Sequence, residues 1–416
     1  MARAVGKAIA AGAAAVVLGL AFGAAAQQTV KIGAVYPLSG NSAGAGTYAK
    51  AAIEMAADIV NNGAPGLAAL PLSKGGGLPG LKGAKVEFVF ADNQGTPAAG
   101  QNQTLRLITE EKVVAVIGAY QSGITVTASA IAERYGIPFL TAESVAANLT
   151  ERGFKWFFRT TPVASDFAKA YSVFLHEQKA AGRKVDSIAV VHENTEYGNS
   201  VASVMKEGFA KDGLKISQTI AYSANSTDVQ PQVLQLKEKN PDVVIFISYT
   251  SDAILYTKTM KELNWKPAIM IADDAGFNDP SFVKTMAPLV EGLISRSAFA
   301  AGKPGSLSAV INDMYKKKTG SDLDDVSARA MQGAMVLIDA INRAGSTDPA
   351  KIRDALKVTD LKADQMITGY EGVKFDDKGQ NVLASSLVTQ MRGGEYLPIW
   401  PKARATTEVI LPYKGW

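Results

Sequence analysis

The chain has 416 residues, 47% of them hydrophobic, and its 43 lysines and arginines nearly balance 39 aspartates and glutamates, leaving a net charge of +4. This length suffices for two or three domains with large cores, and a nearly balanced charge without basic runs indicates no nucleic-acid partner. The absence of cysteine excludes disulfides, thiolate zinc sites and cysteine nucleophiles, and two histidines, His176 and His192, are too few for a multi-histidine metal centre.

The first 26 residues have the pattern of a secretory signal peptide. Arg3 and Lys7 precede an apolar stretch at 8–23, and three alanines at 24–26 offer a small-residue cleavage site. The alternative is a membrane anchor, but the stretch is shorter than the roughly 20 apolar residues that span a bilayer. We therefore predict cleavage after Ala26 and export to the periplasm.

Strands and helices alternate in the first part of the mature chain. Short runs rich in branched and aromatic residues predict strands at 30–36, 85–90, 113–117 and 137–140. Apolar residues at helical spacing predict helices at 47–61, 98–111 and 122–135, and a segment rich in glycine and proline predicts a surface loop at 63–83. This alternation favours a parallel sheet with helices on both faces.

The same alternation begins again after a link at 157–162. Strands are predicted at 187–191, 216–222, 243–248 and 268–271, and helices at 166–181, 197–212, 229–239 and 252–263. A strand at 293–298, helices at 307–318, 326–344 and 349–356, and a strand-and-turn tail at 370–416 complete the chain. We therefore predict an α/β fold of two similar units, each a mainly parallel sheet flanked by helices.

Motifs of common enzyme classes do not occur in the sequence. There is no G-x-x-x-x-G-K-[ST] phosphate loop, no G-x-S-x-G elbow and no H-E-x-x-H zinc helix. Asp322, Asp324 and Asp325 lack the spacing of a calcium-binding loop and predict a solvated acidic loop. We therefore predict no enzyme, metal or cofactor, although His192 at a strand end leaves open an exported α/β hydrolase.

Polar side chains recur where predicted strands end. In open α/β sheets, ligands bind outside the carboxyl ends of the strands, so two such units facing each other would form a cleft lined from both sides. The start of the helix after the third strand would also favour an anion such as a carboxylate. The candidate residues at these ends are Tyr120, Gln121, Ser122, Glu143, Ser144, Tyr197, Tyr249 and Asp274.

The sequence resembles a known family in four stretches, at 31–40, 114–129, 193–198 and 370–379. They are similar to the periplasmic solute-binding proteins of ABC transporters for branched-chain amino acids, of the leucine/isoleucine/valine-binding type. The resemblance implies a type I Venus-flytrap fold with two lobes, 27–160 plus 296–372 and 161–295 plus 373–416, joined by three crossovers. It also implies a monomer that closes on a small solute and docks on a membrane permease.

The resemblance also implies roles for individual residues. Ser122 would hold the ligand's carboxylate, and Glu143 and Ser144 fall where relatives bind the carboxylate and ammonium. Tyr197 matches the aromatic residue that covers the ligand. Asp274 matches the acidic residue that pairs with the ammonium, which needs a fixed carboxylate when it is desolvated.

Three departures from the family pattern leave the solute open. Ala45 stands where relatives place an aromatic residue, which would enlarge the pocket, and Gln121 replaces a cysteine. Arg329 could point inward and favour a second anionic group. Because Asp274 favours a ligand with an amine, we expect an amino acid, branched-chain or otherwise hydrophobic, as the solute. An amine-free aromatic or dicarboxylic acid is the alternative, and a sensor that uses a separate partner protein is a third interpretation.

Overall fold

Residues 28–416 are described by the structure, a computed structural model. The predicted signal peptide at 1–26 lies outside the described residues. In the part that is described, no helix is both long and apolar enough to cross a bilayer.

The first sheet has five parallel strands in the order β2-β1-β3-β4-β5. Its strands are β1 (Thr29–Tyr36), β2 (Lys85–Asp92), β3 (Val116–Gly118), β4 (Phe139–Thr141) and β5 (Phe157–Arg159). The helices that connect them are α1 (Ala43–Asn62), α2 (Pro97–Thr109) and α3 (Ser122–Tyr135). β1, β3 and β4 are almost wholly buried because helices cover a parallel sheet on both faces.

The second sheet has seven strands in the order β14-β13-β10-β9-β8-β6-β7. The parallel strands are β6 (Ile188–Glu193), β7 (Ile216–Tyr222), β8 (Val243–Ile247), β9 (Ile269–Ala272) and β10 (Ile294–Ser297). A two-stranded ribbon, β11 (Asp360–Lys362) and β12 (Gly372–Lys374), precedes the antiparallel strands β13 (Leu387–Arg392) and β14 (Glu395–Trp400). The prediction of two mainly parallel sheets is therefore confirmed.

The remaining helices follow the chain in order. Those of the second unit are α4 (Ala164–Ala180), α5 (Glu196–Lys211), α6 (Gln230–Lys239), α7 (Thr250–Glu262) and α8 (Pro280–Met286). The last three are α9 (Leu307–Thr319), α10 (Asp325–Ala344) and α11 (Pro349–Lys357). We call the first sheet with its helices the first lobe and the second sheet with its helices the second lobe.

α10 belongs to the first lobe although it follows the second lobe in sequence. It packs along α1, and its residues from Asp325 to Ile341 are buried. β10, just before it in the chain, still pairs with β9 and β13 in the second sheet. The predicted boundary at 296 falls inside β10, so the passage to the first lobe begins after Ser297.

Two segments differ from the sequence predictions. α1 begins at Ala43, four residues before the predicted start at Thr47. Its first turn passes the end of β1 so closely that a Cβ on Gly46 would lie 1.9 Å from the carbonyl oxygen of Pro37, the residue after that strand. The segment 63–83 is not simply a surface loop, because Leu67, Leu70 and Leu78 are buried in the core beneath it.

Candidate functional site

A small cavity lies between the carboxyl ends of the two sheets. Its volume is about 20 Å³, room for about one water molecule. The cavity is lined by Tyr120, Ser122, Glu143, Val145, Tyr197, Tyr249, Asp274, Ala275, Arg296 and Arg329. A larger, open groove of about 640 Å³ lies between α4 and α5, but none of the polar strand-end residues lines it. We therefore take the small cavity as the candidate site.

The first lobe presents two loops to this cavity. Tyr120 follows β3 with a left-handed φ of 69°, and Ser122 begins α3. The Ser122 hydroxyl accepts a hydrogen bond from the amide of Ala146 at 3.3 Å. Ser144 fixes these loops to each other, because its hydroxyl donates to the Tyr120 carbonyl at 2.9 Å and lies 2.6 Å from the Thr125 hydroxyl.

The second lobe contributes two tyrosines. Glu193 fixes the start of α5, where its carboxylate accepts hydrogen bonds from the amides of Thr195 and Gly198. The Tyr197 hydroxyl donates to Asp273. The Tyr249 ring contacts Tyr197 at 5.3 Å between centroids and, across the cleft, Tyr120 at 5.8 Å.

Five buried charged side chains lie beside the tyrosines. Arg296 contacts Asp273 and Asp274, each at 2.9 Å, and Arg329 contacts Asp274 and Asp325, each at 2.7 Å. All five side chains are at most 3% exposed. Each guanidinium group therefore already has two carboxylates within contact distance.

Arg329 joins the two lobes. Its α10 packs with the first lobe, and its Nη1 donates to the Glu143 carbonyl at 3.2 Å and the Thr161 hydroxyl at 3.1 Å. Its Nη2 reaches Asp274 on the second lobe. At the rim, the Asn148 amide donates to Glu196 at 2.8 Å, also from one lobe to the other. The structure is therefore a closed form.

The carboxyl groups around Arg329 have different pKa values. Burial alone would raise the pKa of Asp274, but Arg329 and Arg296 outweigh it and hold that pKa below its usual value. Burial raises the pKa of Asp325 to about 7 against the effect of Arg329, and the negative charge of Asp274 acts in the same direction as burial. Asp274 is therefore the ionised partner of both arginines near neutral pH.

Glu143 is a further buried carboxyl group, on the first-lobe side of the cavity. Its Oε1 accepts a hydrogen bond from the Tyr36 hydroxyl at 3.0 Å, whereas Oε2 has no hydrogen-bond partner among residues 28–416. Burial raises its pKa to about 7, opposed by Arg329 and by the Tyr36 hydrogen bond. The amides of Ala142 and Glu143 also lower this pKa, but neither has the geometry of a hydrogen bond to Oε2.

The comparisons with known proteins agree with this architecture. The family described as periplasmic binding protein matches residues 29–395. The chain belongs to this family. A Leu/Ile/Val-binding protein homolog from Brucella suis, homolog 7, is 32% identical over 409 residues, which cover 94% of this chain and 96% of the relative. The predicted resemblance is therefore confirmed.

Solved structures of similar fold hold different ligands. The branched-chain amino acid transporter substrate-binding protein LivJ from Streptococcus pneumoniae, in complex with isoleucine, superimposes with a TM-score of 0.76 at 23% identity. The superposition covers 92% of this chain and 100% of the LivJ chain. An ABC transporter solute-binding protein from R. palustris in complex with benzoate has a TM-score of 0.76 at 18% identity, and covers 93% and 99%. At these identities the likeness shows the fold.

Family membership makes this periplasmic binding protein a solute-binding protein and not an enzyme. His192, on which the hydrolase alternative depended, lies in β6 and does not line the cavity. One of its ring nitrogens lies 3.0 Å from the carbonyl oxygen of Glu193. Within the described part of the chain, no group of three acidic or histidine side chains could hold a metal ion.

The structure brings most of the predicted site residues together. The residues of that set that line the cavity are Tyr120, Ser122, Glu143, Tyr197, Tyr249, Asp274 and Arg329. The others do not line it: Ser144 binds the Tyr120 loop, the Gln121 amide points to Ser42 at 3.5 Å, and Ala45 is buried in the core. Their contact with a ligand stays a prediction.

Two charged residues were missed or misplaced by the sequence predictions. Arg296 was not predicted as a site residue, although an arginine within the buried strand Ile294–Ser297 indicates a buried partner. Asp325 was predicted in a solvated acidic loop, which is wrong, because α10 buries it against Arg329. Val145 and Ala275 complete the lining.

Proposed function

We propose that this protein captures an α-amino acid with an apolar side chain in the cavity between its lobes. It would act as the periplasmic solute-binding subunit of an ABC importer and deliver the solute to a membrane permease. The observation that carries the proposal is the charge balance of the cavity wall. Acidic groups exceed the paired arginines there, and Glu143 has an unpartnered carboxyl oxygen.

The charge balance favours a ligand that brings a cation. Arg296 and Arg329 already contact three aspartates, so neither offers a free positive charge to an incoming anion. A ligand with only a carboxylate would add an unpaired negative charge to a buried site, which is costly. The ammonium group of an amino acid instead meets an excess of acceptors.

The start of α3 is the proposed position of the ligand's carboxylate. Ser122 offers a hydroxyl at the first turn, where free backbone amides and the helix dipole favour negative charge. Burial raises the pKa of the Tyr249 hydroxyl, and the amide of Ser122 acts in the opposite direction. A ligand carboxylate would take the place of that hydroxyl on the amide.

The apolar part of the ligand would lie against the tyrosines, Val145 and Ala275. Because about 20 Å³ does not admit a leucine side chain, binding requires the lobes to separate and then to close less far, around the ligand. We propose that the crossovers predicted near residues 160, 296 and 372 form the hinge. The Leu/Ile/Val-binding names of the Brucella relatives support an aliphatic amino acid.

An aromatic carboxylate is the second candidate. The observation in its favour is the tyrosine trio of the cavity, in which the Tyr249 ring contacts the rings of Tyr120 and Tyr197. A ring could pack among them, and the R. palustris neighbour was solved with benzoate. For such a ligand, Glu143 would have to be neutral and donate a hydrogen bond.

Matched ligand pairs test the proposal. Mature protein, residues 27–416, would be melted with L-leucine, L-isoleucine and L-phenylalanine and with the same three compounds lacking the amine. A ligand that binds only the folded state raises the melting temperature. We expect a rise with at least one amino acid and none with its amine-free partner. A rise with the amine-free acids alone would overturn the amino-acid proposal and favour the second candidate.

A further inference from the structure

We propose that Glu143 is the counter-ion of the ligand's ammonium group, while Asp274 serves as the arginine-bound latch that holds the lobes closed. This inference rests on the proposed function, because it concerns a ligand with an amine. It departs from the role that the resemblance implies for Asp274. It assigns specificity for the amine to a first-lobe side chain.

The partners of Asp274 are the first reason. One of its oxygens, Oδ2, lies 2.9 Å from Nη1 of Arg296 and 2.7 Å from Nη2 of Arg329. An ammonium group beside this oxygen would meet two guanidinium charges. To pair with Asp274 the ligand would have to displace an arginine, which would leave that arginine buried without its partner.

The position of Glu143 is the second reason. The side chain lines the cavity, is 4% exposed, and has an Oε2 without a hydrogen-bond partner in the described chain. The Tyr36 hydroxyl donates to Oε1, which fixes the carboxyl group and leaves the other oxygen for a ligand. A buried carboxyl oxygen without a donor is costly, and an ammonium group supplies the missing donor.

The surroundings of Glu143 allow a positive charge there. Arg329 is the guanidinium nearest to it, but its contact with the ionised Asp274 already offsets that charge, and Asp325 adds to this as it ionises. Tyr36 (β1) contacts Glu143 directly, and the other charged or titratable groups that line the cavity from the packed elements are Tyr120 (β3–α3 loop), Tyr197 (α5), Tyr249 (before α7), Asp274 (after β9) and Arg296 (β10). Of these, Arg296 is paired with Asp273 and Asp274.

Binding should therefore release a proton. Near pH 6 the Glu143 carboxyl is mostly protonated, because burial raises its pKa to about 7. An ammonium ligand pairs with the carboxylate, so the proton of the carboxyl group leaves to the buffer and the ligand keeps all its own protons. An amine-free acid that accepted a hydrogen bond from neutral Glu143 would release none and would bind more tightly as the pH falls.

Two neutral variants test the assignment, with the amino acid found for the wild type as the ligand. Glu143→Gln keeps the size of the side chain and should weaken binding by roughly 30- to 4,000-fold, as expected when a buried charge pair loses one partner. Asp274→Asn should also weaken binding, because it loosens the latch, but it should keep the preference for the amino acid over its amine-free analogue that Glu143→Gln loses. The affinities would be measured by calorimetric titration at pH 7.5.

Proton release supplies the second readout. Titration at pH 6 in buffers of different ionisation enthalpy should give close to one proton released per ligand for the wild type and none for Glu143→Gln. Tyr36→Phe, which removes the hydrogen bond to Oε1, should move the pH midpoint of binding upward, because that bond lowers the pKa of Glu143.

The outcomes separate the inference from the function. If Glu143→Gln binds the amino acid as tightly as the wild type, or if Asp274→Asn and not Glu143→Gln loses the preference for the amine, the inference is wrong and the function stands. If the wild type binds no amino acid at all, the proposed function itself is wrong.

Discussion

Replacing Asp274 by asparagine should destabilise the protein strongly. The Asp274 carboxylate contacts both arginines of the buried cluster at 2.7 and 2.9 Å. Removing one partner from a buried ion pair costs about 3–5 kcal/mol, because the remaining charge stays buried. The neighbouring Asp325 reduces this cost. Its pKa of about 7 is raised partly by the charge of Asp274, so it ionises more fully in the variant.

If the pKa of Asp325 falls by one unit, the variant regains about 1.4 kcal/mol of stability. We therefore expect the free energy of unfolding to fall by about 2–4 kcal/mol in total. Urea unfolding at pH 7.5, followed by circular dichroism, would measure it. Asp354→Asn is the matched control, since its contact with Arg353 is also 2.7 Å long but its side chain is 61% exposed. That control should lose less than about 1 kcal/mol. Equal losses in the two variants would refute the reasoning.

Three further changes have defined outcomes. Burial raises the pKa of Glu143 from 4.5 to about 7, so its stabilising contribution is complete below pH 4.5 and is lost as the pH rises through 7. Glu143→Gln should therefore gain up to about 3 kcal/mol relative to the wild type between pH 4.5 and 8; parallel unfolding curves over that range would contradict this. Ser122→Ala should lower affinity for any carboxylate ligand by about 1–3 kcal/mol with little loss of melting temperature, and unchanged affinity in a titration would reject the position of the carboxylate. Gly44→Ala should weaken binding, because its Cβ would lie 2.7 Å from Ser281 Oγ on the other lobe. Gly123→Ala is the control and should bind normally, because its Cβ would lie 3.6 Å from the nearest atom of that lobe. Equal affinities of the two variants would show that closure tolerates the added atom.

The fold could be predicted from the sequence because its strongest signals are local. β8, Val243–Ile247, consists of five consecutive apolar residues, all buried, as a covered parallel strand requires. α10 shows its apolar residues over five turns, and its predicted span of 326–344 differs by one residue from Asp325–Ala344. Elements with a weak local signal were not predicted. β5, Phe157–Arg159, has only three residues and was predicted as part of a link.

Part of the candidate site followed from topology. Tyr197 and Tyr249 were predicted because both follow strands whose carboxyl ends meet at one edge of a sheet, and the structure places both on the cavity. The pairing of the charged residues had no such signal. Arg296 is 23 positions from Asp273, and Arg329 is 55 positions from Asp274. No local pattern links residues so far apart, so these pairs appear only after folding.

One titration tests the central claim most directly. Mature protein at pH 7.5 would be titrated in a calorimeter with L-isoleucine and, separately, with 3-methylpentanoate, which lacks only the amine. The charge balance around Glu143, Arg296 and Arg329 predicts that isoleucine binds saturably at one site and binds more tightly than 3-methylpentanoate. If another apolar amino acid is the solute, it should likewise bind more tightly than its own amine-free analogue. Equal or tighter binding of the amine-free acid would contradict a site built to receive an ammonium group.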